Sequence, residues 1–323
     1  MAAPEICFVY FHVGGLWNPR QVREDFADMR ACGADWIFTQ FHEDNPRKTL
    51  KFKVDLAHEA GLKVLASPGR VAGLFAAGPR PCSVFTIENP DALCREKDGS
   101  PLLANSSLVA CVNHPKFEAW FYPAMADIIQ ATGADGIVFD EPKEAHKPCY
   151  CEHCKARVAQ PTDQALLALK ESSMAAMMGR LCARLKKDNP AGVGVAMLMP
   201  SAADGFVDRV LEQGAIDYVG SDGPMCPQGR PGPDGGPGAG QKTPLAQSAA
   251  RLIPRTRKAG RRTFGLVETF GVCRWAHDRL RENLRALPSL GLDMPAFNYY
   301  GHNVEDPEGI MAIIRQAVAS LKT

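Results

Sequence analysis

No stretch of eighteen uninterrupted apolar residues occurs in the sequence, so it offers no candidate membrane-spanning helix. Its opening residues, MAAPEICFVYFHVGG, show no basic run ahead of an apolar core. The expectation is therefore a cytoplasmic protein without a secretory leader. An excess of one charge is also missing: 37 Lys and Arg face 36 Asp and Glu, for a net charge of +1. That balance provides no field to hold nucleic acid or an anionic membrane surface. It suits a neutral small-molecule or oligosaccharide substrate and is compatible with a homo-oligomer. Cysteine is plentiful at 11 residues, but a chain of 323 residues with no leader needs no disulfide framework. Metal ligation or burial accounts for the thiols better.

Hydrophobic residues, 46% of the chain, are arranged in short β-branched or aromatic runs that alternate with helical patterns. The predicted strands are Ile6 to Val13, Trp36 to Phe41, Lys63 to Ser67, Gly136 to Phe139, Val193 to Met199, Tyr218 to Gly220, Thr263 to Val267 and Pro295 to Tyr300. Strands separated by helices must run parallel, and eight of them with right-handed crossovers close into a barrel. No GxGxxG follows the first strand, which argues against an open dinucleotide-binding sheet. The expectation is one (β/α)₈ TIM barrel over residues 1–323. Gly33, Gly61, Gly133, Gly214 and Gly291 stand just before strands, where a left-handed residue ends a helix. Two long βα connections interrupt the rhythm, at about 76–112 and at the Gly/Pro-rich 223–243, and both are expected to border a cleft.

The fourth strand runs into Asp140-Glu141-Pro142, and the seventh into Glu268-Thr269. Acids at these two strand ends face each other across a barrel mouth. Hydrolysis of a glycosidic bond needs such a pair, one carboxyl group to protonate the leaving oxygen and one carboxylate to act at the anomeric carbon. A second pairing, Asp140 as nucleophile with Asp222 as acid, uses strands four and six instead. Shortly after the first acids comes Cys149-Tyr150-Cys151-Glu152-His153-Cys154, and three thiols at this spacing converge readily on a tetrahedral ion, for which thiolates select zinc. The best fourth ligand is Cys111, with Cys82, Cys94, His146 and His153 behind it. Four thiolates would make a closed, structural zinc site.

Leu16-Trp17-Asn18-Pro19-Arg20, Met29-Arg30-Ala31-Cys32-Gly33-Ala34, Ala60-Gly61-Leu62-Lys63-Val64-Leu65, Lys97-Asp98-Gly99 and Cys111-Val112-Asn113-His114-Pro115 carry a resemblance. Together with the strand-four acid followed by CxCxxC, they make the first half of the chain similar to the barrel domain of family 42 glycoside hydrolases, bacterial β-galactosidases of clan A. The resemblance implies Glu141 as acid/base, Glu268 as nucleophile, and Cys111, Cys149, Cys151 and Cys154 as zinc ligands. The chain departs from the family at Asp140, where Asn is usual, and in the second strand, which offers Gln40, His42 and Glu43 but no Arg.

His12, Asp222, Asn298, Tyr299, Tyr300 and His302 stand at predicted strand ends and could grip sugar hydroxyls, with Trp17 as an aromatic platform. Other classes compatible with the pattern are a sugar isomerase or aldolase with an open metal site, and a carbohydrate-binding barrel without catalysis.

Overall fold

Alternate residues of the strands and one stripe of each helix are apolar, so the chain buries two separate surfaces. One lies inside a closed sheet and the other between that sheet and its helices. The structure, a computed structural model, describes residues 3–11, 18–41, 43, 46–76, 83–104, 107–143, 145–228, 243–301 and 304–322. The barrel strands are β1 (Cys7–Val9), β2 (Trp36–Phe41), β3 (Lys63–Pro68), β4 (Gly136–Asp140), β5 (Val193–Leu198), β6 (Tyr218–Pro224), β7 (Arg262–Glu268) and β8 (Met294–Asn298). All are parallel to their neighbours, and the circle closes where Cys7 pairs with Ala296 of β8 on one side and with Trp36 of β2 on the other. The expected (β/α)₈ barrel is therefore the fold.

The main helices are α1 (Pro19–Ala31), α2 (Pro46–Glu59), α3 (Pro115–Thr132), α4 (Asp163–Asp188), α5 (Asp204–Leu211), α6 (Leu245–Lys258), α7 (His277–Arg285) and α8 (Pro307–Lys322). Asn18 starts α1 by accepting the Arg20 N–H, with Pro19 in the first turn, where a missing N–H costs nothing. The helix then buries Val22, Phe26 and Met29, and each such side chain removed from water contributes roughly 1.5–3 kcal/mol. Among the described residues no helix is long and apolar enough to cross a membrane.

Strand boundaries differ from expectation mainly at the C-terminal ends. The described part of β1 is only Cys7–Val9, β6 continues to Pro224, and β8 stops at Asn298, two residues before Tyr300 takes a left-handed φ of 45°. Four of the five expected left-handed glycines have positive φ; Gly214 does not, and Gly260 before β7 does. The described residues of the connection after β3 form local structure rather than a plain polar loop. It holds helical turns at Val71–Gly73, Val84–Glu88 and Pro90–Ala92, a small hairpin of Leu103–Ala104 with Ser107–Leu108, and buried Leu93, Cys94, Leu102, Val109 and Ala110. Residues 229–242 of the Gly/Pro segment lie outside the described residues.

The barrel floor carries a fourfold device. Asp35, Asp135, Asp217 and Asp293 each precede an even-numbered strand. Each donates its backbone N–H to the carbonyl of one residue at the start of the preceding odd strand or just before it, namely Ile6, Val64, Gly194 and Thr263. The carboxylate of each then accepts the N–H of that same residue at 2.7–2.8 Å. Each Asp carbonyl accepts from the next odd strand, at Lys63, Val193, Arg262 and Glu5 in turn. The ring thus runs once around the barrel. Lys322, His58 and Lys186, from helices α8, α2 and α4, pair with the first three carboxylates at 2.6–2.8 Å.

Replacing Asp217 by Ala would leave the Gly194 N–H without its acceptor, at an expected cost of about 1–3 kcal/mol. Urea unfolding of Asp217→Ala and Asp135→Ala checks this. Losses below about 0.5 kcal/mol, the scatter of neutral surface changes, would show that the ring does not hold the floor.

Candidate functional site

Side chains two residues apart on a strand share a face. Val9, Phe38, Leu65, Val138, Val195, Met197, Tyr218, Phe264, Leu266, Met294 and Ala296 form the apolar cluster inside the barrel. Two steps on from Phe38, Val138, Leu266 and Ala296 stand Gln40, Asp140, Glu268 and Asn298, and Asp222 is two steps past Gly220 and four past Tyr218. All five lie within their strands, so the same alternation puts them on the interior face, at the C-terminal mouth. Asp222 and Glu268 are each 2% exposed and Asp140 5%. Gln40 Nε2 donates to Asp140 Oδ2 at 3.4 Å across the mouth. Asn298 Oδ1 accepts the Thr269 N–H at 2.9 Å and so fixes the chain immediately after Glu268.

Glu141 is built differently. Its N–H still pairs with the Met197 carbonyl at 2.8 Å, continuing the β4–β5 ladder, yet its φ is 43°. A non-glycine residue held in the left-handed region costs of order 1–3 kcal/mol, and such strain collects at functional positions. The turn takes its side chain off the strand alternation, and Lys143 Nζ stands 2.6 Å from Glu141 Oε2. The loop after β3 abuts this turn, since Ala76 N–H donates to the Asp140 carbonyl and Lys143 N–H to that of Leu74. Glu43, after β2, ties that loop down by accepting the N–H groups of Ala72 and Phe85 at 2.6 and 2.7 Å.

Tyr299 and Tyr300 belong elsewhere than expected. Tyr299 has outward parity: its hydroxyl donates to Asp28 of α1 at 3.0 Å and its ring packs edge-on against Phe8. Tyr300 donates to Glu308 of α8 at 2.9 Å. Both rings fill the layer between barrel and helices instead of the mouth, because β8 ends before them and the chain turns away. His12, Trp17 and His302, and with them His42 and Cys82, lie outside the described residues.

Cys111, Cys149, Cys151 and Cys154 do come together. Their sulfurs all lie within 4.8 Å of one another and all four residues are buried. Cys111 is 3.5 Å from both Cys151 and Cys154. A tetrahedral ion with metal–sulfur bonds of about 2.3 Å spaces its sulfurs about 3.8 Å apart, so the donor set fits a metal. Hydrogen bonds among the four sulfurs lower the Cys149 thiol from its ordinary range and raise that of Cys111, so the set titrates as a unit.

Two polar residues beside the cluster escaped the sequence reading. Asn113 Nδ2 donates to Cys154 Sγ at 3.4 Å and is itself held by Arg157. Lys170 of α4 is buried with its Nζ 2.9 Å from Cys94 Sγ. Lys170 faces inward from α4, an orientation that its charge alone does not suggest.

A closed parallel barrel with acids in its C-terminal mouth defines the class of fold. No protein-family model matches the chain, and no curated protein matches it in sequence. The fold is similar to that of a β-galactosidase from the Antarctic haloarchaeon Halorubrum lacusprofundi, with TM-score 0.69 and 13% identity over 99% of this chain and 58% of that one. A β-galactosidase from Bacillus circulans sp. alkalophilus gives 0.65 and 12%, over 99% and 56%. The catalytic domain of β-amylase from Paenibacillus polymyxa gives 0.64 and 11%, over 99% and 98%. The chain thus spans a little over half of each β-galactosidase structure and nearly all of the β-amylase domain, and what it shares with them is the barrel fold.

The mouth also depends on Lys53 of α2, which is buried and donates to Thr39 Oγ1 and the Gln40 carbonyl, both at 2.7 Å. Burial lowers its pKa from 10.5 to about 7. Between these values the unfolded chain binds a proton that the folded chain lacks, so this residue makes stability rise with pH above about 7. Thermal unfolding at about pH 7 and about pH 9 should show a smaller rise for Lys53→Met than for the unaltered protein. Equal rises would mean that Lys53 stays charged when folded.

Proposed function

We propose that the chain is a glycoside hydrolase whose sugar substrate lies in the barrel mouth. The observation that carries this reading is that Asp140 at the end of β4 and Glu268 at the end of β7 share one interior face with Asp222 and Asn298, with Glu141 next to Asp140. Carbohydrate hydrolases among the fold's structural neighbours support it. The neutral overall charge favours a neutral glycoside.

In this reading Glu141 protonates the glycosidic oxygen while the Glu268 carboxylate attacks the anomeric carbon, and hydrolysis of the glycosyl–enzyme bond gives net retention. The same residue pair then works in reverse order: Glu141, deprotonated by the first step, takes the proton of the attacking water. Before the first step Glu141 must leave its contact with Lys143 and take up a proton from water, because the ion-paired carboxylate has none to donate. Asp222 grips substrate hydroxyls, with His12, Trp17 and His302 as further sugar contacts. Asn298 holds the backbone behind the nucleophile. The roles of Glu141 and Glu268 are those implied by the resemblance to family 42.

We assign the four-cysteine cluster to a structural zinc ion. Cys111 comes from the connection after β3, and Cys149, Cys151 and Cys154 from the one after β4. Bound zinc would cross-link these two loops. Its closed thiolate shell leaves no position for substrate.

A second reading has Asp140 as nucleophile and Asp222 as acid. It is favoured by their strict interior parity and by the ion pair that occupies Glu141. Single variants separate the two. With Glu141 and Glu268 as the pair, Glu268→Gln abolishes turnover of every glycoside. Glu141→Gln then loses about 10²–10⁴-fold on poorly activated substrates but far less on those with good leaving groups. If Asp140→Asn abolishes turnover of activated substrates and Glu268→Gln does not, the second pairing replaces the first. No turnover across a broad panel of aryl glycosides and oligosaccharides would remove the hydrolase reading.

Cys151→Ser should lower metal content and thermal stability together, as measured by elemental analysis and an unfolding scan. Metal-free native protein as stable as the metal-supplied form would remove the zinc assignment.

A further inference from the structure

A lysine with almost no contact with water ends beside sulfur instead of a carboxylate. Lys170 is 1% exposed, and its Nζ lies 2.9 Å from Cys94 Sγ. Among the described residues no carboxylate stands within ion-pair distance of it. Its neighbour Glu171 turns to Arg209, at 3.8 Å. A buried ammonium is costly unless opposite charge lies close by, and a neutral thiol is only a weak acceptor. The compensating charge must therefore come from the sulfurs around it.

The backbone shows which sulfurs these are. Leu93 and Ala110 form an antiparallel bridge, Cys94 N–H donates to the Val109 carbonyl, and Cys111 N–H donates to that of Ala92. Cys94 is thereby held beside Cys111, one of the four clustered sulfurs, with Lys170 behind it. Four thiolates around one divalent ion carry a net charge of −2, in a pocket where all four residues are buried. On another side, Arg157 holds Asn113 so that its amide points at Cys154.

We propose that Lys170 is the built-in counter-cation of this four-sulfur metal centre, a positioning residue that balances its charge without ligating the ion, with Cys94 as a spacer thiol and not a ligand. The proposal rests on the metal reading given above. It explains a buried lysine that has no carboxylate beside it among the described residues. With metal bound, removing the ammonium leaves the anionic centre less compensated.

The experiment uses the full chain, zinc alone as the probe, and a chromophoric chelator in competition. Lys170→Met should weaken zinc retention about 10–100-fold, the range found when groups that support metal ligands are removed. A residue that merely packs would lower the thermal midpoint with and without zinc and leave zinc affinity unchanged, and that result overturns the proposal. Cys94→Ala should still bind one zinc per chain. If it loses zinc as Cys151→Ser does, Cys94 is a ligand and the counter-cation assignment falls. If unaltered protein binds no zinc and matches Cys151→Ser, the metal reading fails first and takes this inference with it. Zinc retained by unaltered and Lys170→Met protein alike, with Cys151→Ser deficient, leaves the metal reading standing and sinks only the role of Lys170.

Discussion

A sheet that closes on itself has no free edge to absorb an error, so its register must be set all the way around. In this barrel the setting is done at the floor. Each of four aspartates binds both backbone groups of one residue at or just before the start of the preceding strand and accepts from the strand after it, and the series returns from Asp293 to Glu5. Slipping one strand by a single residue would move a carboxylate off its N–H and turn that strand's interior side chains outward. The apolar interior and the aspartate ring therefore select the same register for different reasons.

The mouth inherits that register. Because Val138, Leu266 and Ala296 face inward, so do Asp140, Glu268 and Asn298 two residues later. Burying these acids costs free energy, and the costs are placed at the end of the barrel where the apolar layers stop. The exception is Glu141, whose left-handed backbone turns it out of the alternation while its N–H stays in the ladder. The strain sits on a frame that can carry it, with Leu74 and Ala76 of the connection after β3 hydrogen-bonded to the same turn.

The second site has a related logic. The connections after β3 and β4 meet at four buried sulfurs. A buried lysine and an arginine-held asparagine stand around those sulfurs. The arrangement concentrates charge of both signs away from water, where each member depends on the others remaining in place.

Much of this was legible in the residues. The alternation of apolar runs and helical stripes determined the eight strands and their order, because burial of a strand or helix face is a local pattern. Strand-end acids and the CxCxxC run were visible because strand geometry and ligand spacing are short-range properties. Asp35, Asp135 and Asp293 were on the page as members of Gly-Ala-Asp and Gly-Leu-Asp junctions, but their roles were not, since each bonds a residue some 30 to 70 positions away. Tyr299 and Tyr300 looked like site residues because the sequence does not show that β8 ends at Asn298. Their hydroxyls found partners in α1 and α8 only once those helices were packed. Cys94 meets Lys170 across 76 positions. The sequence by itself determined which segments bury which faces; the tertiary structure alone decided which distant polar groups meet, because closing the barrel is what brings them within hydrogen-bonding distance.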